Sequence, residues 1–225
     1  IPINEPVLEY KSKSKEKIEL KKKIQELKNK EIDIPMYIGG KEIRTKNKIR
    51  ISPPHDHNHT LGHYNKGDES HVKSAVKAAL DAKENWNRMG SDKRAKIFIK
   101  AAELLAGPYR SEINATTMLG QSKNVFQAEI DAACELIDFL RFNPYFMKKI
   151  HEDQPISPDG MKNSLSYRPL EGFIFALSPF NFTSIAGNLC SSVALMGNTV
   201  VWKASSTQIY SANVIMKVFK KAGLP

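Results

Sequence analysis

Residues 172–203 read GFIFALSPFNFTSIAGNLCSSVALMGNTVVWK, and the fold follows from them. Gly172 to Leu177 is an unbroken apolar run, as expected of a strand buried on both faces of a parallel sheet. A helix over about 184–195 comes next and stops at Gly197. Thr199-Val200-Val201-Trp202 then reads as a second buried strand, and 208–221 as a second helix. Strand, helix, strand, helix is the opening of a doubly wound α/β unit. Open sheets of this kind bind ligands at the carboxyl ends of their strands. Chemistry is therefore expected at Ser178-Pro179-Phe180-Asn181-Phe182. Asn181 there offers a neutral amide donor, worth about 3–4 kcal/mol to a transition state that develops an oxyanion. Its type suits a helix cap equally well, and spacing alone leaves the two readings even.

Upstream, the pattern is mostly helical. Leu20, Ile24 and Leu27 make residues 16–30 a short amphipathic helix, the body of an N-terminal arm over 1–30. Residues 31–225 form the domain proper. Gly39-Gly40 between two apolar runs predicts a hairpin over 36–43. Pro53-Pro54 breaks an extended segment that resumes at Leu61–Asn65. Asp68 is placed to cap a helix whose face carries Val72, Ala75, Val76, Ala79 and Leu80. Ser91 opens another, ended by Gly107-Pro108, and a third covers about 109–119. A long helix is expected from Ser122 to Phe142, with Phe126, Ile130, Ala133, Ile137 and Leu140 as its stripe and Pro144 bending or ending it. Residues 151–161 read as a surface loop, and Leu165–Arg168 as a half-exposed strand.

The net charge is +10, of which +6 falls in residues 1–50. The lysines from Lys11 to Lys23 are interleaved with acidic residues such as Glu16 and Glu19, with Glu26 following, and have no aromatic residues among them, which predicts a solvated face rather than a nucleic-acid or membrane surface. No stretch reaches the apolar length of a membrane span. Cys134 and Cys190 fall in predicted helices among apolar neighbours and read as buried free thiols. His55, His57, His59 and His63 sit in a proline-led loop without ligand spacing, so no metal site is expected. The first residue is Ile1, so a targeting peptide is out of view.

Pro179-Phe180-Asn181-Phe182 resembles the Pro–aromatic–Asn–Phe motif of aldehyde dehydrogenases. Gly197-Asn198-Thr199-Val200-Val201-Trp202-Lys203-Ala204-Ser205 is similar to a second strand motif of that family, with Ala204 where proline is usual. Residues 126–133 and 135–143, Gln154–Ser157, Tyr167–Phe173 and Ser178–Thr183 resemble the pyrroline-5-carboxylate dehydrogenase branch, collinearly from about residue 20 onward. The resemblance implies an aldehyde dehydrogenase-like fold: an incomplete cofactor domain behind a helical N-terminal region. It implies NAD as cofactor, bound by Ser178, Lys203 and Ser206, without the usual Gly-x-Gly-x-x-Gly loop. Asn181 becomes the oxyanion donor and Phe182 a wall for the aliphatic part of the substrate. Glu129 matches an acidic position near that pocket, and reads equally simply as a buried structural carboxylate.

The implied reaction is oxidation of L-glutamate γ-semialdehyde to L-glutamate in proline catabolism. The alternatives are another aldehyde dehydrogenase, such as one for succinate semialdehyde, or a non-catalytic chain with a basic binding arm. Neither cysteine aligns with the family nucleophile, which is expected beyond Pro225 together with the catalytic glutamate. The chain alone is then inactive. The resemblance further implies a homo-oligomer in the full-length form, with residues 163–168 in an oligomerisation extension, and the mitochondrial matrix for a eukaryotic source.

Overall fold

The computed structural model describes all of residues 1–225. Fourteen residues of the arm, Lys15–Lys28 (α1), are helical, capped by Ser14. The extended strands β1 (Ile32–Ile34), β4 (Lys48–Ile51) and β5 (Gly62–Asn65) make one sheet in the order β1-β5-β4, parallel on one side and antiparallel on the other. Strands β2 (Met36–Ile38) and β3 (Lys41–Ile43) form the expected hairpin, with Ile38 opposite Lys41. Both glycines of its turn have positive φ, 56° and 74°, which the tight two-residue turn requires.

Asp68 caps α2 (Glu69–Arg88), with His71 closing a capping box. Helices α3 (Ser91–Ala106), α4 (Arg110–Gln121), α7 (Thr183–Leu195) and α8 (Ile209–Ala222) fall close to the predicted spans. Strands β6 (Ile174–Leu177) and β7 (Val200–Lys203) pair in parallel around α7. The main core is helical: Phe98, Leu105, Leu136, Ile137, Leu140, Ile215 and Phe219 lie in one cluster. Phe98 and Phe219 meet edge-to-face with centroids 6.0 Å apart. A smaller cluster of Ile34, Ile51, Leu61, Leu119 and Tyr210 seats the three-stranded sheet on α4 and α8.

Four expectations are corrected. The long helix does not stop near Phe142: α5 (Val125–Ala128), a π-helical turn (Glu129–Glu135) and α6 (Leu136–Glu152) run on, with Pro144 inside α6. Pro144 is buried, as are Leu140 and Met147, so packing of the apolar face carries the helix through the residue that lacks an N–H. The wider π turn changes which residues share a face. Glu129, Asp131, Ala132, Ala133 and Cys134 are all buried within it, while Phe126, upstream, is exposed.

Leu165–Arg168 forms no strand; the span 153–173 has no regular structure and is largely exposed, because no neighbouring backbone lies in register with it. β6 and β7 are not buried on both faces. Phe175 and Leu177 are exposed beside buried Ala176, since the sheet has two strands and one covered side. On α2, Val72 and Leu80 face outward, and its core contacts come from Ala79 and Trp86. No helix is long and apolar enough to cross a membrane.

Candidate active site

The register of the parallel pair sets Leu177 beside Lys203, so both strands end together. Ser178, the next residue, is buried: its N–H donates to the Lys203 carbonyl at 3.3 Å and its hydroxyl accepts from the Trp202 indole at 3.0 Å. Lys203 and Ser206 are exposed at the same edge. The chain then turns through Pro179 and Phe180 to Asn181, which is exposed, and Phe182, 38% exposed, at the N-cap position of α7. No side chain of this turn caps the helix, so the Asn181 carboxamide is not spent on capping.

The cap comes from elsewhere. Asp131, in the π turn, accepts from Thr183 N–H at 3.2 Å and from Ser184 N–H at 3.1 Å. A carboxylate at this end also meets the positive pole of the helix. Asp131 further pairs with Lys123 at 2.6 Å. Lys123 donates in addition to the Asn181 carbonyl, and its ammonium lies 4.6 Å from the Phe182 ring centroid. Ser184 Oγ lies 2.9 Å from Asp131 and 2.8 Å from Glu135. Thr183 is held by Thr117 at 2.9 Å, Gln121 at 2.8 Å and Ser211 at 3.0 Å, which ties the start of α7 to α4 and α8. Lys123, Asp131, Ser184 and Glu135 were not singled out from the sequence. The one available signal was the run of acids set among apolar residues in Glu129–Glu135, too many to be solvated on one helix face.

Glu129 is not drawn into this cluster. It is fully buried, and its carboxylate accepts from Leu8 N–H at 2.9 Å, the Tyr10 hydroxyl at 2.8 Å, Asn114 at 2.7 Å and the Arg110 guanidinium. Arg110 also pairs with Glu5, which reaches Arg141 at 2.6 Å. Asp138 holds Asn4 and the Glu5 N–H, each at 2.7 Å. Protein donors enclose the Glu129 carboxylate on every side and strap residues 4–10 to the helical core. Burial alone raises a carboxyl's pKa, but Arg110, the Leu8 N–H and the Tyr10 hydroxyl reverse the sign, and Glu129 is held below the ordinary glutamate range. Tyr10 is pushed up by burial and by the same carboxylate. In this chain the N–H and O–H partners of the Glu129 carboxylate are Leu8, Tyr10, Arg110 and Asn114.

Cys134 touches this polar cluster rather than apolar neighbours, with its sulfur 3.6 Å from Arg110 and 3.7 Å from Glu129. Burial pushes its thiol up to about 12, and burial raises Cys190 further. Neither forms a thiolate near neutrality. In the histidine-rich loop, His55 meets the Ser122 hydroxyl at 2.8 Å, and no group of acidic, histidine or cysteine side chains converges as a metal site.

Residues 42–225 match the aldehyde dehydrogenase family. The mitochondrial Δ1-pyrroline-5-carboxylate dehydrogenases of Danio rerio and Homo sapiens are 44% and 45% identical to the chain, over 99% of it and 40% and 39% of their own length. The structure of Δ-pyrroline-5-carboxylate dehydrogenase from Mycobacterium tuberculosis bound with NAD superposes with a TM-score of 0.98 at 50% identity, covering all of this chain and 42% of that one. The chain thus spans about two fifths of the length of these relatives. With its parallel strand pair ending at Leu177 and Lys203, it belongs to the aldehyde dehydrogenase family.

Proposed function

We propose that this chain is part of an NAD-dependent dehydrogenase that oxidises L-glutamate γ-semialdehyde to L-glutamate in proline breakdown. The observation that carries the proposal is Asn181: an exposed carboxamide, left free by the helix it precedes, on a turn clamped at the carboxyl end of β6. Relatives at 44–50% identity are named Δ1-pyrroline-5-carboxylate dehydrogenases, which supports this reading. As the aldehyde oxygen gains negative charge, the Asn181 amide donates to it and stabilises the transition state by about 3–4 kcal/mol. Phe182 offers an apolar ring to the substrate's methylene carbons.

The donor set suits NAD. Lys203 and Ser206 are exposed donors suited to ribose hydroxyls, and Ser178 is locked by Trp202 and the Lys203 carbonyl at the end of the strand pair. NAD, when bound, supplies the hydride acceptor. The attacking thiolate is assigned to sequence outside residues 1–225, because both thiols here are buried and hard to ionise. The exposed Leu165 and Tyr167 side chains support self-association of the full-length protein through the 153–173 segment. For a eukaryotic source, the mitochondrial matrix is the proposed compartment, supported by the vertebrate relatives being named mitochondrial.

The test is an assay of the full-length protein with NAD and both semialdehydes. Preference for succinate semialdehyde overturns the substrate assignment. Asn181→Ala is expected to lower kcat by at least about 100-fold with a small change in KM, and an unchanged kcat overturns the role of Asn181.

A further inference from the structure

Asn181 works as a donor only if its backbone is held still, since a displacement of about 1 Å from productive geometry costs on the order of 100-fold in rate. The turn that carries it receives little from its own neighbours. Phe180 is 65% exposed, and α7 is capped by no residue of the turn. Its two ends are held at Ser178 and Thr183, and between them the side chain that bonds the Asn181 backbone is one lysine from a different part of the chain. Lys123 lies between α4 and α5. Its ammonium donates to the Asn181 carbonyl, pairs with Asp131 Oδ2 at 2.6 Å and lies 4.6 Å from the Phe182 ring centroid.

An ammonium has three N–H donors and no acceptor. Here the Asn181 carbonyl and the Asp131 carboxylate take two of them, and the ammonium also lies over the Phe182 ring, so the contacts of Lys123 are to the turn and the π turn. Asp131 is itself fixed, since its two oxygens hold the first two N–H groups of α7. Turn and helix therefore share one anchor in the π turn.

Resting on the reading of Asn181 as oxyanion donor, we infer that Lys123 and Asp131 are a positioning pair. Lys123 clamps the Asn181–Phe182 backbone to the π turn, and the Asn181 carboxamide is aimed from that fixed point. Neither residue touches substrate.

The test is steady-state kinetics of the full-length enzyme with saturating NAD and glutamate γ-semialdehyde. It compares Lys123→Met, Lys123→Arg, Asn181→Ala and the double variant Lys123→Met/Asn181→Ala. Lys123→Met is expected to lower kcat about tenfold or more with KM within about twofold, because the lost interaction acts only in the transition state. Lys123→Arg, which keeps the charge and can face carboxylate, carbonyl and ring together, is expected to restore most of kcat. The double variant should be no slower than Asn181→Ala alone, as for residues acting through one another.

A kcat for Lys123→Met within about twofold of wild type, alongside a large loss for Asn181→Ala, overturns the pair and leaves the oxyanion donor standing. So does a fully multiplicative double variant. A rise in KM at constant kcat overturns it in favour of direct substrate contact. Should Asn181→Ala leave kcat unchanged, the donor reading fails first. The clamp is then judged by the crystal structure of Lys123→Met, where an unmoved Pro179–Phe182 turn overturns it. If Lys123→Met does not fold, Asp131→Asn, which keeps the size and one acceptor, takes its place in every comparison.

Discussion

Asp131 accepts the backbone N–H of Ser184 at 3.1 Å, so a carboxylate in a π turn caps a helix that starts 52 residues later. Removing it strips two N–H groups of their partner and leaves Lys123 without its counter-charge. Asp131→Ala is expected to cost about 3 kcal/mol, the scale for breaking a buried pair from one side. Urea unfolding of the 225-residue chain measures it, and a loss under about 1 kcal/mol contradicts the buried cap.

Arg94 plays the opposite part at the far end of α7. Its guanidinium is buried without a carboxylate and donates to the carbonyls of Leu195 at 2.9 Å, Asn87 at 3.1 Å and Trp86 at 3.3 Å. Two helix C-termini, with their partial negative charge, take the place of an anion. Burial lowers the Arg94 pKa, but its charge is kept at any accessible pH. Arg94→Met should cost about 2–3 kcal/mol by leaving carbonyls unpaired. Arg94→Lys should recover less than half, since a point-charge ammonium cannot span the fork. Thermal or denaturant unfolding separates the two.

Glu129 makes stability depend on acid. Its pKa is below the unfolded value, so its contribution is fully present above the ordinary glutamate range, near about 4.3, and is lost as pH falls through the lower folded value. Wild type should therefore weaken more steeply below about pH 5 than Glu129→Gln, which starts about 3 kcal/mol less stable because Arg110 stays buried. Amide exchange at Leu8 should rise in the same window as the strap over residues 4–10 loosens. Equal acid slopes in the two proteins contradict the linkage.

Cys134 and Cys190 should resist thiol reagents in the native chain. With one thiol pushed up to about 12 and the other higher still, colourless mixtures with Ellman's reagent at pH 8 are expected for many minutes, and two thiols per chain should report at once in denaturant. Fast native reaction of either overturns the burial argument. The same chemistry predicts no NADH production by the 225-residue chain alone.

Local chemistry determined much of this molecule from its order of residues. Asp68 could cap only the helix that follows it, Gly39-Gly40 could make only a tight turn, and the alternation of apolar runs with helical periods set β6, α7, β7 and α8. Asn181 at the end of β6 was legible for the same reason, since a strand–helix junction is written in consecutive residues. What tertiary structure decided is everything that joins distant segments. Phe175 and Leu177 lie open because burial of a strand depends on what covers it. Leu165–Arg168 stays unpaired because a strand needs a partner in register, whatever its own alternation. The π turn shifts side chains off the 3.6-residue face, so Asp131 points at α7 and Glu129 at the N-terminal strap. Lys123 meets Asn181 across 58 residues, a juxtaposition that no local spacing encodes.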